Sequence, residues 1–152
     1  MLLGKFARTL DAKNRISLPA SFKAELTDGA YMTQGFDRNL QVLTAGAFRQ
    51  LYRQATALNT ADPLARLLLR LFLGNAIEVP QPMIRIAVPD NLREYAGLGE
   101  NVLLIGQGDY FEIWAPEMWS QQEAQLRDVE ANASRFAALA LGRRGISSSS
   151  VS

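Results

Sequence analysis

Apolar and polar positions along the chain change period several times, and each change predicts an element. Thr9 to Pro19 reads as a strand, a charged loop and a second strand ending at a proline. Pro19 suits the first position of a helix, where its missing N–H costs nothing. Phe22 and Leu26 then share one face of a short helix that ends near Asp28-Gly29. Tyr31 to Phe36 and Leu40 to Leu43 are two strands joined by a turn at Asp37-Arg38-Asn39. Thr44 is an N-cap for a helix carrying Phe48, Leu51, Tyr52, Ala55 and Leu58 at helical spacing. Asp62-Pro63 opens another helix and Gly74 closes it. Pro116-Glu117 starts the last one. Trp119, Leu126, Val129, Phe136 and Ala140 predict that it continues to about Leu141.

From Ala76 the programme repeats. With an offset of 70, Arg15-Ile16-Ser17-Leu18-Pro19 aligns with Arg85-Ile86-Ala87-Val88-Pro89, and Phe22-Lys23 with Leu92-Arg93. With an offset of 71, Gly35 aligns with Gly106, Leu40 with Phe111, Val42 with Ile113 and Phe48 with Trp119. Each half is strand, loop, strand, short helix, hairpin, helix. A lone hairpin is marginal in water, so two similar halves are expected to complete one sheet system by interleaving within an α+β domain. The expected limits are 5–47 for the first unit, 76–119 for the second, 48–75 for a helical linker and 120–141 for the C-terminal helix. Gly142 to Ser152, with Arg143-Arg144 and a serine run, is polar and of low complexity and is expected to be disordered.

Composition narrows the chemistry. The 152 residues contain no cysteine and no histidine. That removes disulfides, thiolate chemistry and Ser-His or Cys-His catalysis. Hydrophobic content of 48% with 20% charged residues belongs to a soluble globular protein. The start of the chain lacks the apolar core of a signal peptide. The most apolar window, Leu64 to Leu73, is broken by Arg66 and Arg70 and is too short to span a bilayer. A cytoplasmic protein without a membrane partner is expected. The carboxylates Glu78, Asp90, Glu94, Glu112 and Glu117 are scattered without a partner base, and there is no phosphate-cradling glycine loop. No catalysis, metal, cofactor or small-molecule substrate is expected.

The net charge of +1 hides an asymmetry. Residues 1–77 hold ten Lys or Arg against five Asp or Glu, whereas residues 78–130 hold three against ten. The first half has the sign a polyanion prefers. The same pattern also suits two solvated faces that attract neighbouring subunits.

Asp11, Lys13, Asn14 and Arg15 share one short polar turn, with Arg8 just before it. Arg15 can donate two hydrogen bonds to guanine O6 and N7. Lys13 and Arg8 suit phosphates or a neighbouring guanine, and Asn14 an adenine or a phosphate. A lone carboxylate facing phosphate is repelled, so Asp11 is expected to orient Arg15 instead. On the residues alone, the Asp11–Arg15 pair serves equally well to lock the turn. In the second copy the aspartate is replaced by Gln81, Asn14 has Ile84 as its counterpart, and Pro80 and Pro82 stand in the loop. Arg85 is the charge that remains there. It is expected to hold structure or an interface more than DNA.

Leu10-Asp11-Ala12-Lys13-Asn14-Arg15-Ile16-Ser17-Leu18-Pro19, its copy near residue 85, Leu71-Phe72-Leu73-Gly74-Asn75-Ala76 and Glu112-Ile113-Trp114 together resemble the MraZ family over roughly residues 4–140. The resemblance implies two SpoVT/AbrB-type swapped-hairpin units in one pseudo-two-fold domain. It implies a cytoplasmic, nucleoid-associated transcriptional regulator that forms a ring-like homo-oligomer. Its partner would be double-stranded DNA, at short tandem repeats in the promoter of the division and cell-wall gene cluster. Asn14 stands where a glycine is usual in the family, and asparagine tolerates the left-handed backbone better than most residues. A ring would present several copies of a weak site to tandem repeats. The competing reading is a homo-oligomeric interaction protein of the same fold that does not bind DNA.

Overall fold

The computed structural model describes residues 1–139. The first half runs β1 (Lys5–Thr9), β2 (Arg15–Ser17), α1 (Ala20–Glu25), β3 (Ala30–Gln34), β4 (Leu40–Thr44) and α2 (Ala45–Thr56), and α3 (Pro63–Phe72) follows. The second half runs β5 (Ile77–Glu78), β6 (Arg85–Ala87), α4 (Asp90–Tyr95), β7 (Asn101–Gly106), β8 (Tyr110–Trp114) and α5 (Pro116–Leu126), and then α6 (Val129–Ala137). The architecture is mixed α+β with antiparallel sheets. The chain divides into two compact units, Met1–Pro116 and the segment from Glu117 onward.

The opening strands do not pair with each other. β1 lies against β7, with Ala7 opposite Leu103, and β2 lies against β6, with Ile16 opposite Ile86. β3 pairs with β4 and also with β5. The six-stranded sheet has the order β1-β7-β8-β4-β3-β5, and β2 and β6 form a separate two-stranded ribbon.

Side-chain alternation explains the core of the first unit. Ile16 and Ile86, the central pair of the ribbon, are both fully buried. Phe22 of α1 is buried edge-on against Phe6 of β1, with centroids 5.2 Å apart, and lies 4.9 Å from Phe111 of β8. Leu26, Met32, Leu40, Val42, Leu92, Leu104 and Ile113 are fully buried as well. Such cores are close-packed, so the ribbon's position is fixed through them.

The helix signals act as the sequence predicts at three places. Thr44 accepts the N–H of Ala47 at 3.1 Å, and Asp62 accepts that of Leu64 at 2.9 Å, each satisfying a donor of the first turn. Gly74 follows α3 where a Cβ would collide with the Arg70 carbonyl. α3 is fastened to the sheet by the buried Thr33 hydroxyl, which donates to the Phe72 carbonyl at 2.6 Å.

The single C-terminal helix expected from Pro116 to Leu141 is instead two. α5 ends at Leu126 and α6 begins at Val129, capped by the Asp128 carboxylate on the N–H of Ala131 at 3.2 Å. A side chain that bonds its own backbone competes with helix continuation, and Asp128 does so here. Leu126, Val129 and Phe136, expected on one apolar helical stripe, are exposed. Ala140, Leu141 and the polar tail lie outside the described residues.

Candidate nucleic-acid interface

The turn between β1 and β2 is built around one carboxylate. The Asp11 carbonyl accepts the N–H of Asn14 at 2.9 Å, and the Asp11 N–H donates to the Arg15 carbonyl at 3.0 Å. Closing the loop this way requires a left-handed residue at Asn14, whose φ is 57°. Asparagine is among the few non-glycine residues that visit this region readily.

Asp11 Oδ1 accepts the backbone N–H groups of Lys13 and Arg15, each at 2.9 Å. Asp11 Oδ2 accepts Arg15 Nε at 2.9 Å and Arg85 Nη1 at 3.0 Å. A carboxylate offers about four lone-pair sites, and these bonds occupy them. The Arg15 N–H holds the Asp11 carboxyl well below the usual carboxylate range. Desolvation opposes this as the next largest effect, and the Lys13 N–H and the two guanidiniums add to the lowering. Asp11 is therefore ionised whenever the fold is intact near neutral pH.

The ribbon register explains why Arg85 reaches this carboxylate. Arg15 lies opposite Ala87, and Ser17 lies opposite Arg85. Ile16 and Ile86 point into the core, so Arg15, Ser17, Arg85 and Ala87 share the other face. Diagonal neighbours on such a face stand about 7–8 Å apart, within reach of two long side chains converging on one group. The Asn14 carbonyl also accepts the N–H of Val88 at 2.9 Å, which ties the turn to the second half a second time.

Arg8, on β1, turns toward the same ribbon. Its Nε donates to the Ser17 carbonyl at 3.1 Å and its Nη1 to the Ala7 carbonyl at 2.9 Å, with the guanidinium 5.7 Å from the Phe6 ring centre. The Lys13 side chain is exposed, while Arg8, Asn14 and Arg15 are half-buried. All the site residues predicted from sequence thus lie on or beside one turn and one ribbon. The bond from Arg85 to Asp11 is not among the features the sequence predicts. The antiparallel pairing that creates it leaves no local signal, although the shared Arg-Ile pair in both copies was the available hint.

Two of the scattered carboxylates have side-chain partners. Asp90 bonds Arg93 at 2.9 Å, and Glu112 accepts the Trp114 indole N–H at 2.9 Å. Among the described residues, no group of three or more His, Cys, Asp or Glu could hold a metal ion, and no helix is long and apolar enough to cross a membrane. A groove of about 580 Å³ lies on the first unit, lined by Leu43, Leu51, Leu58, Leu68 and Phe72, with Asp109 and Tyr110 in its wall. Burial and the neighbouring Glu112 push the Tyr110 hydroxyl up from its ordinary pKa.

The family model described as "MraZ protein, putative antitoxin-like" matches residues 1–71 and 84–141. A protein of Roseiflexus castenholzii named "Transcriptional regulator MraZ" is 37% identical over 138 residues, covering 90% of this chain and 94% of that one. Proteins of the same name from Kocuria rhizophila and Micrococcus luteus are 40% and 38% identical over 135 residues, each covering 86% of this chain and 94% of the relative. Two stretches on either side of residues 72–83, carrying both copies of the Arg-Ile strand, are matched at this level, and the chain belongs to the MraZ family.

Proposed function

We propose that this protein is a DNA-binding transcriptional regulator that acts on short tandem repeats in the promoter of the division and cell-wall gene cluster. The observation that carries the proposal is the saturated Asp11 carboxylate on which the Arg15 and Arg85 guanidiniums converge, with Lys13 in the same turn and Arg8 bonded to the neighbouring Ser17 carbonyl. With one negative charge among four positive ones, this region keeps a surplus of positive charge for phosphates. Arg15 uses Nε for Asp11. Its two terminal nitrogens make the fork that matches a guanine edge. The names of the relatives support the regulator role. In this reading the protein works in the cytoplasm, on the nucleoid.

The fold reading behind the proposal is a pair of interleaved swapped-hairpin units, residues 5–47 and 76–119, related by a pseudo-two-fold axis. The strand order supports it. Exchanging β1 with β5, β3 with β7 and β4 with β8 turns β1-β7-β8-β4-β3-β5 into its own reverse. The exchange of β2 with β6 leaves their pairing unchanged.

Several copies in a ring would raise the affinity of a site with few phosphate contacts. Opposite net charges on the two halves of the sequence suit a head-to-tail contact. On α3, Leu64 and Leu67 are 70% and 61% exposed, which favours a contact between copies. These same leucines also favour the second reading, an oligomeric interaction protein without DNA binding. A strictly monomeric mass in sedimentation at low salt would sink the ring.

The deciding experiment is a salt-dependent shift of a promoter fragment that contains tandem repeats. Arg15→Ala should weaken binding and lower the salt slope by about 1, with thermal melting unchanged. Wild-type protein that fails to bind such fragments at low salt would favour the second reading.

A further inference from the structure

The second repeat has lost its own acidic partner. Gln81 occupies the position that Asp11 holds in the first repeat, and a neutral amide cannot serve as a counterion for Arg85. Arg85 bonds across the ribbon to Asp11 instead. One carboxylate therefore serves the arginines of both repeats, the second of them 74 residues from Asp11 in sequence. Both oxygens are fully engaged, so Asp11 has no acceptor left for a base edge.

We propose that Asp11 is a shared positioning residue that holds Arg15 and Arg85 on one DNA-facing surface and presents two different guanidinium edges there. The proposal rests on the DNA-binding reading and extends it to the second repeat, whose arginine the sequence alone assigned to structure.

The two arginines meet the carboxylate through different atoms. Arg15 donates through Nε, which keeps its terminal Nη1–Nη2 fork available. Arg85 donates through Nη1, which keeps the Nε–Nη2 side available. The first fork approaches an acceptor pair end-on and the second side-on. Both are bidentate donors of the kind that recognise phosphate or guanine. Neither guanidinium is enclosed. The side chains are 42% and 49% exposed, while that of Asp11 is 23% exposed. The carboxylate is thus more enclosed than its two partners.

Two measurements test the proposal, one of them free of DNA. The first follows the Asp11 carboxyl carbon by NMR during acid titration of wild-type, Arg15→Ala and Arg85→Ala proteins. The midpoint should rise in both variants. An unchanged midpoint in Arg85→Ala overturns the shared carboxylate. The second is a binding cycle on the tandem-repeat fragment, with Arg85→Ala made in wild-type and in Asp11→Asn backgrounds. Arg85→Ala should weaken binding about tenfold in the first, as expected for loss of one bidentate contact, and less than about twofold in the second. Equal losses in the two backgrounds overturn positioning by Asp11. Wild-type protein that binds no fragment overturns the DNA reading instead, and the titration then decides alone whether one carboxylate serves two arginines.

Discussion

Removing the side chain of Ile16 should uncouple the two halves of the ribbon. Ile16 lies opposite Ile86, and both are fully buried. Ile16→Ala deletes three carbons, worth about 2.4 kcal/mol at ~0.8 kcal/mol per buried methylene. The hole left behind adds to this, because a close-packed surround relaxes only in part, and Ile→Ala changes in cores cost about 2–5 kcal/mol. A loss of about 3–4 kcal/mol is therefore expected. Ile86→Ala should cost a similar amount, and the double variant should cost less than the sum by about 0.5–3 kcal/mol, because the two side chains share one contact. Urea denaturation at fixed protein concentration measures all three, the fixed concentration guarding against shifts through self-association. A single-variant loss below about 1 kcal/mol, or strict additivity, would refute the reasoning. The conservative Ile16→Val should cost only about 0.5–1.5 kcal/mol.

Two further outcomes follow from the turn. The Asp11 carboxyl lies below its unfolded value near 3.8, so its stabilisation is present above about pH 4 and is lost as pH falls through the lower folded value. The wild-type melting temperature should thus fall more steeply than that of Asp11→Asn on acidification below about pH 4, and parallel acid limbs would argue against the hydrogen-bonded turn. At Asn14, φ of 57° predicts that Asn14→Val costs about 1–2 kcal/mol while Asn14→Gly stays within about 0.5 kcal/mol, as read from urea midpoints; equal losses would remove the strain argument.

Much of the fold was legible because its signals are local. Thr44 and Asp62 declare their helices through side chains that bond N–H groups two or three residues on. The turn at Asp37 to Asn39 and the strands around it follow from alternation, with Leu40 and Val42 inward. The break at Asp128 carries a local signal too, an aspartate able to cap, but the apolar spacing from Trp119 to Phe136 runs on through it and masks the break. Register between distant strands is different. It depends on which faces pack, and beyond the Arg-Ile pair repeated at residues 15–16 and 85–86 nothing near Arg85 in the sequence points to Asp11. For that reason Asp11, Lys13, Asn14 and Arg15 were placed together from sequence, whereas the role of Arg85 emerged from the ribbon.

The strand order also has a consequence in time. A ribosome delivers β1 and β2 first, yet their partners β7 and β6 are among the later strands. Until residues 85–87 emerge, Ile16 has no cross-strand partner, and until residues 101–105 emerge, Lys5 to Thr9 form an open edge. Such contacts of large sequence separation form slowly, because loop closure must precede them. The face that holds Arg15 is therefore among the first parts synthesised and among the last assembled. A nascent chain stopped before Arg85 has the residues of the Asp11 turn without the ribbon that holds them in place.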